Sequence, residues 1–208
     1  MKIAVLGIHC SGKTTLASLL AKKLDMPYIS SDPIEYLKLP WRPHTFRTQA
    51  RDLFLYESIS LTRTIFGKYR SFVTDYDPAI QLAYCWRDPE VIAKLLSVLP
   101  RLPKYDIVIM LNIHDPITVL YRAVGRLRWG SKMLSAGWLA SYYKFTMDVL
   151  EGWYKHWNHI ACRGKLVISL NVDNYEDPNE TLRDILNLLP KSSEISKLPH
   201  VTELPLLC

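Results

Sequence analysis

The residues Gly7-Ile8-His9-Cys10-Ser11-Gly12-Lys13-Thr14 fit the pattern G-x-x-x-x-G-K-S/T without adjustment. Glycines in such a loop let successive backbone N–H groups turn inward around a phosphate, and a helix starting at the lysine aims its positive end at the same anion. In that arrangement Lys13 reaches the outer phosphates of ATP and the Thr14 hydroxyl ligates Mg²⁺, so Gly7, Ile8, His9, Cys10, Ser11, Gly12, Lys13, Thr14 and Thr15 form the expected ATP-binding segment. Cys10 stands where the commonest form of the loop has another glycine. Two readings of it stay open: a reactive thiol at a helix N-terminus, or a small residue that fits.

A second chemistry-bearing stretch lies in the middle of the chain. Between Pro116 and Met147 there are five basic residues, Arg122, Arg126, Arg128, Lys132 and Lys144, and no Asp or Glu. Phosphoryl transfer depends on positioning and on cations that meet developing charge. Arg122 and Arg126 share a helix face at i, i+4, Arg128 follows one step beyond, and Gly125 among them offers a hinge. The stretch from about 122 to 137 therefore reads as an Arg-rich lid closing over a triphosphate, with Arg122, Arg126 and Arg128 in catalytic roles; a solvated basic helix end is the competing reading. A GTPase would need an Asn-Lys-x-Asp base reader and an Asp-x-x-Gly switch. Asn171-Val172-Asp173-Asn174 lacks the lysine and the switch pattern is absent. A hexameric motor normally carries a second subdomain, which 208 residues do not suggest. Small-molecule kinases remain.

Strands and helices must hold these residues in place. Apolar runs at Ile3–Leu6, Tyr28–Ser30, Phe72–Thr74, Ile107–Leu111 and Leu166–Leu170 predict five strands. Helices are predicted from Lys13 to about Leu24, from near Phe46 to about Phe66, and from near Gly137 to about His159. Others start after Asp88-Pro89, Asp115-Pro116 and Asp177-Pro178, where an aspartate N-cap precedes a proline at the first helical position. This alternation predicts an α/β fold with a parallel sheet covered on both faces. One domain is expected over 1–189, followed by a weakly patterned tail, 190–208.

Composition narrows the class further. With 49% hydrophobic and 22% charged residues the chain excludes disorder and collagen-like repeats. No apolar run approaches the roughly 20 residues of a membrane span. The first eight residues read as a buried strand and not as a leader, so a cytoplasmic location is expected. Cys10, Cys85, Cys162 and Cys208 show no metal-ligand spacing and are expected as reduced thiols. A net charge of +6 suits anionic partners. The aromatic residues after the basic stretch, from Trp138 to Trp157, read as core or subunit interface, and nucleic-acid binding is the weaker reading because no such motif accompanies them.

Taken in order, the phosphate loop, Ser31-Asp32-Pro33-Ile34, Phe46 and Gln49, Val73-Thr74-Asp75-Tyr76-Asp77, Leu111-Asn112-Ile113 and the Arg122/Arg126/Arg128 spacing resemble the deoxynucleoside kinase and thymidylate kinase group over about residues 1–189. The resemblance implies the P-loop NTPase fold, a doubly wound five-stranded parallel sheet with an Arg-rich lid. It implies ATP and Mg²⁺ as cofactors, a nucleoside or nucleotide acceptor, and a homodimer. It also implies that Asp32 is the general base, a role that a carboxylate at the C-terminal end of a strand suits; a helix N-cap is its other reading. By the same resemblance Gln49 reads a nucleobase edge and Asp75 holds Mg²⁺, with Tyr76 and Asp77 in the acceptor region; Trp41, Arg42 and Arg47 enrich that region in a way that departs from the family's pattern. Tyr76 replaces the arginine usual after the strand-end acid, and the lid lacks the acidic residue usual near the sugar. A base candidate with no arginine beside it favours a neutral hydroxyl acceptor, as in a nucleoside. The alternatives are a thymidylate-like monophosphate kinase, a nicotinamide riboside kinase, and an ATP-binding regulator without catalysis.

Overall fold

The computed structural model describes residues 1–32, 48–128, 135–175 and 177–190. The first apolar run forms β1 (Lys2–Gly7), in which Ile3, Ala4, Val5 and Leu6 are completely buried. It is joined by β2 (Phe72–Thr74), β3 (Tyr105–Asn112) and β4 (Gly164–Asn171) in the order β2-β1-β3-β4, all parallel. Ile107, Val108, Ile109 and Met110 follow one another along β3 and all are 0% exposed. Successive strand side chains point to opposite faces, so both faces of the sheet are covered.

The sheet has four strands and not the five predicted. Tyr28 forms only an isolated parallel bridge to Val73, with the Ile29 N–H donating to the Val73 carbonyl at 2.9 Å and the Val73 N–H to Pro27 at 2.9 Å. The ladder stops there for local reasons. Pro27 has no N–H to give, and at the other end the Ser31 hydroxyl turns aside to donate to the Tyr76 carbonyl at 2.8 Å. The segment still occupies the position beside β2 that the fifth strand would take.

Among the described residues the helices are α1 (Lys13–Lys23), α2 (Thr48–Lys68), α3 (Gln81–Tyr84), α4 (Pro89–Val98), α5 (Pro116–Arg128), α6 (Ala136–Lys155), α7 (Trp157–Ala161) and α8 (Pro178–Leu188). All three Asp-Pro starts are capped as predicted: Asp88 accepts from Val91 N–H, Asp115 from Ile117 N–H and Thr118 N–H, and Asp177 from Asn179 N–H. The single helix predicted to run to His159 is broken at His156, and the turn lets α7 bury Ile160 and Ala161 completely. Gly125, the expected hinge, lies inside the continuous helix α5. Helix α6 approaches α3 closely at Gly152, where an added Cβ would lie 2.3 Å from the Ala83 carbonyl oxygen.

Candidate active site

Strand β1 delivers the loop at its C-terminal end, the edge at which parallel α/β sheets bind ligands. Gly7 is required by close approach: a Cβ there would meet the Ser11 hydroxyl at 2.4 Å and the Leu111 carbonyl at 2.9 Å. Gly12 has φ +88, a conformation open to glycine, and it hands over to α1, where Leu16 N–H donates back to Gly12 O at 3.0 Å. Cys10 has φ +59, so the position where glycine is usual does demand a left-handed backbone. Its buried thiol lies 3.7 Å from the Tyr142 hydroxyl. Lys13 Nζ rests 3.4 Å from the Ile8 carbonyl, within the span of the loop itself.

Thr14 and Asp75 meet at the end of the loop. The Thr14 hydroxyl donates to Asp75 Oδ2 at 2.6 Å, and Asp75 is 2% exposed at the end of β2. Its other oxygen, Oδ1, is buried and has no hydrogen-bond partner among the described residues. A buried carboxylate with one neutral donor is electrostatically uncompensated. A hydroxyl and an unfilled carboxylate oxygen beside a phosphate cradle are hard oxygen donors of the kind Mg²⁺ takes together with nucleotide phosphates. The residues therefore fit the cation.

Asp32 lies half-buried just past the bridge at Tyr28, on the same sheet edge, and its charge reaches Tyr76. Burial, and then the Asp32 carboxylate, push the Tyr76 phenol well above its usual range. Tyr76 is therefore a neutral group; its hydroxyl accepts from Gln81 Nε2 at 3.0 Å. Two expectations for the acceptor region are revised here. Tyr76 is 4% exposed and turned into the core, and Asp77 is 0% exposed. Asp77 caps the turn at Pro78–Ile80 by accepting from Ala79 N–H at 2.9 Å, and it pairs with the buried Arg163 at 3.4 Å. Arg163 also donates to the carbonyls of Leu99, Leu102 and Pro103. That buried pair ties the turn after α4 to the chain leaving β2.

Arg122 is fixed from the far side. Its Nη2 donates to Val172 O at 2.6 Å and Tyr175 O at 3.0 Å, in the loop after β4. With Cys10, Gly12 and Thr15 below, and Pro178 and Thr181 at the start of α8, it lines a cavity of about 530 Å³ continuous with the phosphate loop. Arg126 and Arg128 complete the last turn of α5, and Gln49 lies in the first turn of α2; their side chains, and Trp41 with residues 129–134 of the expected lid, lie outside the described residues.

Several contributors were not anticipated. Tyr84 and Thr146 both bond His9 of the loop, and Val172, Tyr175 and Thr181 form the cavity wall opposite Arg122. The loop after the last strand lies at the same C-terminal sheet edge as the phosphate loop, and that rule alone pointed to it. Asn112 ties β3 to β4 beneath the site, donating to Ser169 Oγ at 2.6 Å and accepting from Trp153 Nε1 at 2.9 Å. Above it, burial and then Asp173 push Tyr154 up to about 12.

No protein-family profile matches the chain, and no curated protein sequence does. Solved structures do. Deoxyadenosine kinase from M. mycoides with bound dCTP is similar at a TM-score of 0.63 and 15% identity, over 91% of this chain and 100% of that one. Shikimate kinase from Bacteroides thetaiotaomicron gives 0.59 and 17%, over 90% and 97%. The fold is that of the P-loop kinases. A gluconokinase from Sinorhizobium meliloti shares it at a TM-score of 0.51 and 16% identity, over 95% of this chain and 92% of that one. Open parallel α/β sheets bind ligands at the C-terminal ends of their strands, and Gly7, Asp32, Asp75 and the loop after β4 all lie along that edge.

Proposed function

We propose that the protein is an ATP-dependent phosphotransferase that moves the γ-phosphate of ATP, with Mg²⁺, to a hydroxyl of a nucleoside. The observation that carries this reading is the Thr14–Asp75 pair beside the loop, with its buried, unpartnered Asp75 oxygen. Thr14 and Asp75 would hold Mg²⁺, which would supply charge neutralisation for the transferring phosphate. The loop's backbone N–H groups and Lys13 hold the phosphates, and the cavity bounded by Arg122 takes the rest of the nucleotide. Asp32 accepts the proton of the acceptor hydroxyl as its oxygen attacks the γ-phosphorus and the bond to ADP breaks. Arg126 and Arg128, on the last turn of α5, enter as cations of the lid. The catalytic unit is residues 1–189 and works as a homodimer.

The inward turn of Tyr76 supports a neutral acceptor, because the residue that stands in place of the usual arginine is an uncharged phenol buried in the core. A hydroxy-acid acceptor is the second reading, favoured by the likeness in fold to shikimate kinase and gluconokinase. A phosphorus-NMR panel separates the outcomes: ATP and Mg²⁺ with nucleosides, nucleoside monophosphates, nicotinamide riboside, shikimate and gluconate. Phosphorylation of a nucleoside is expected. Turnover of a monophosphate or hydroxy acid alone overturns the acceptor assignment, and tight ATP binding with no product from any acceptor makes the protein a regulator.

A further inference from the structure

The residue before the left-handed Cys10 is held more firmly than a loop residue needs to be. His9 N–H donates to the Tyr84 hydroxyl at 2.8 Å, and His9 Nδ1 lies 3.3 Å from the same oxygen. On the other side Nε2 lies 3.2 Å from the Thr146 hydroxyl, which is completely buried in α6. The ring stacks on Phe145 at 5.1 Å and 24°, and meets the Tyr142 ring edge-on at 5.4 Å. Tyr84 Oη thus meets His9 through both its backbone N–H and Nδ1, and Thr146 Oγ1 meets Nε2 on the opposite side of the ring. Tyr84 ends α3 and Thr146 lies in α6, so His9 ties the phosphate loop to both helices at once.

The tie has a physical purpose one residue further on. A side chain with a Cβ pays for φ near +60, and such a conformation persists only where the surroundings over-determine it. Cys10 at φ +59 is such a residue, and among the described residues it shares positive φ with only one other non-glycine, Asp25 at the end of α1. We infer that His9 is a positioning residue which compensates for the absence of glycine at position 10, clamping the loop in its phosphate-binding shape before ATP arrives. Released from the clamp, Cys10 relaxes in the empty protein, and the nucleotide must then restore the left-handed turn at a cost in affinity. With glycine at that position the turn costs nothing and the clamp becomes dispensable.

This rests on the loop being the ATP site, and the test is a binding cycle that does not depend on the acceptor. Affinity for Mg²⁺ and a non-hydrolysable ATP analogue is measured by calorimetry for wild type, His9→Phe, Cys10→Gly and the double variant. His9→Phe keeps a ring for Phe145 and removes the side-chain hydrogen bonds. It is expected to weaken binding about tenfold when Cys10 is present, the size of a lost left-handed preference, and less than about threefold in the Cys10→Gly background. Thr146→Val removes one anchor from the α6 side without touching the loop; its loss is expected to be several-fold and to vanish with Cys10→Gly in the same way. Equal losses in both backgrounds overturn the inference and leave His9 a packing residue. Failure of wild type to bind the analogue overturns the ATP assignment instead.

Discussion

Asp75→Asn isolates the metal from the nucleotide. The substitution keeps the side chain's shape and a carbonyl oxygen that can accept from Thr14, now at 2.6 Å from Asp75 Oδ2, while removing the charge on a residue only 2% exposed. At a ligand concentration of about 100 Kd, Mg·ATP stabilises a protein that binds it by about 2.7 kcal/mol. For a domain of this size each kcal/mol moves the melting midpoint by roughly 2–4 °C, so wild type is expected to rise by about 5–11 °C. Loss of an oriented carboxylate near a metal typically costs about 10–100-fold in affinity. At the same ligand concentration the variant then retains about 0.4–1.4 kcal/mol, and its shift falls to about half of wild type or less. The sign reverses without metal. With ATP and a chelator the variant shifts as much as wild type or more, because one negative charge beside the phosphates has gone. Differential scanning fluorimetry with and without Mg²⁺ reads both arms. An Mg²⁺-dependent shift in Asp75→Asn equal to wild type refutes the metal assignment.

Other substitutions test the cradle and the frame separately. Lys13→Ala removes the charged contact to phosphate and is expected to lower kcat on the order of 10²-fold or more with little change in melting midpoint, read by an ADP-release assay and calorimetry; wild-type turnover sinks the loop assignment. Gly152→Ala places a Cβ 2.3 Å from Ala83 O and 2.4 Å from the Trp86 ring, an overpacking expected to cost about 1–3 kcal/mol in urea unfolding; an unchanged midpoint rules out the close α3–α6 approach. Arg163→Leu strands the fully buried Asp77 and is expected to cost about 3–5 kcal/mol, most of it regained when Asp77→Asn is added; simple additivity in that pair contradicts a shared ion pair.

The fold was legible where a signal is local. The phosphate loop is one contiguous segment between an apolar run and a helix, and the Asp-Pro caps at Asp88, Asp115 and Asp177 are complete within three residues each. Tyr28–Ser30 went wrong because a run of three apolar or small residues says nothing about how far it pairs. That was decided by Pro27 at one end and by the turn of Ser31 toward Tyr76, distant in sequence, at the other. The break at His156 has the same character: the apolar pattern runs on, and only the depth of Ile160 and Ala161 in the core shows that the chain had to change direction.

Asp75 and Asp77 show why the site was only half legible. Both follow β2, both are nearly or fully buried, and two residues of spacing would put them on one face of a strand. The strand ends at Thr74, however, and the chain turns at Pro78, so the two carboxylates part. Asp77 finds a guanidinium, a cap N–H and the Tyr105 hydroxyl, and its charge is answered inside the protein. Asp75 finds a single hydroxyl, Thr14 Oγ1, and keeps one oxygen without a hydrogen bond among the described residues. Burying a carboxylate is costly unless a cation or several donors answer it, and here the fold supplies them to one aspartate and withholds them from the other. On the proposed function, the charge left unanswered beside the Gly7–Thr14 loop is where a cation arriving with a nucleotide would complete the site. Residue spacing could nominate both aspartates; only their partners tell the candidate ligand from the strut.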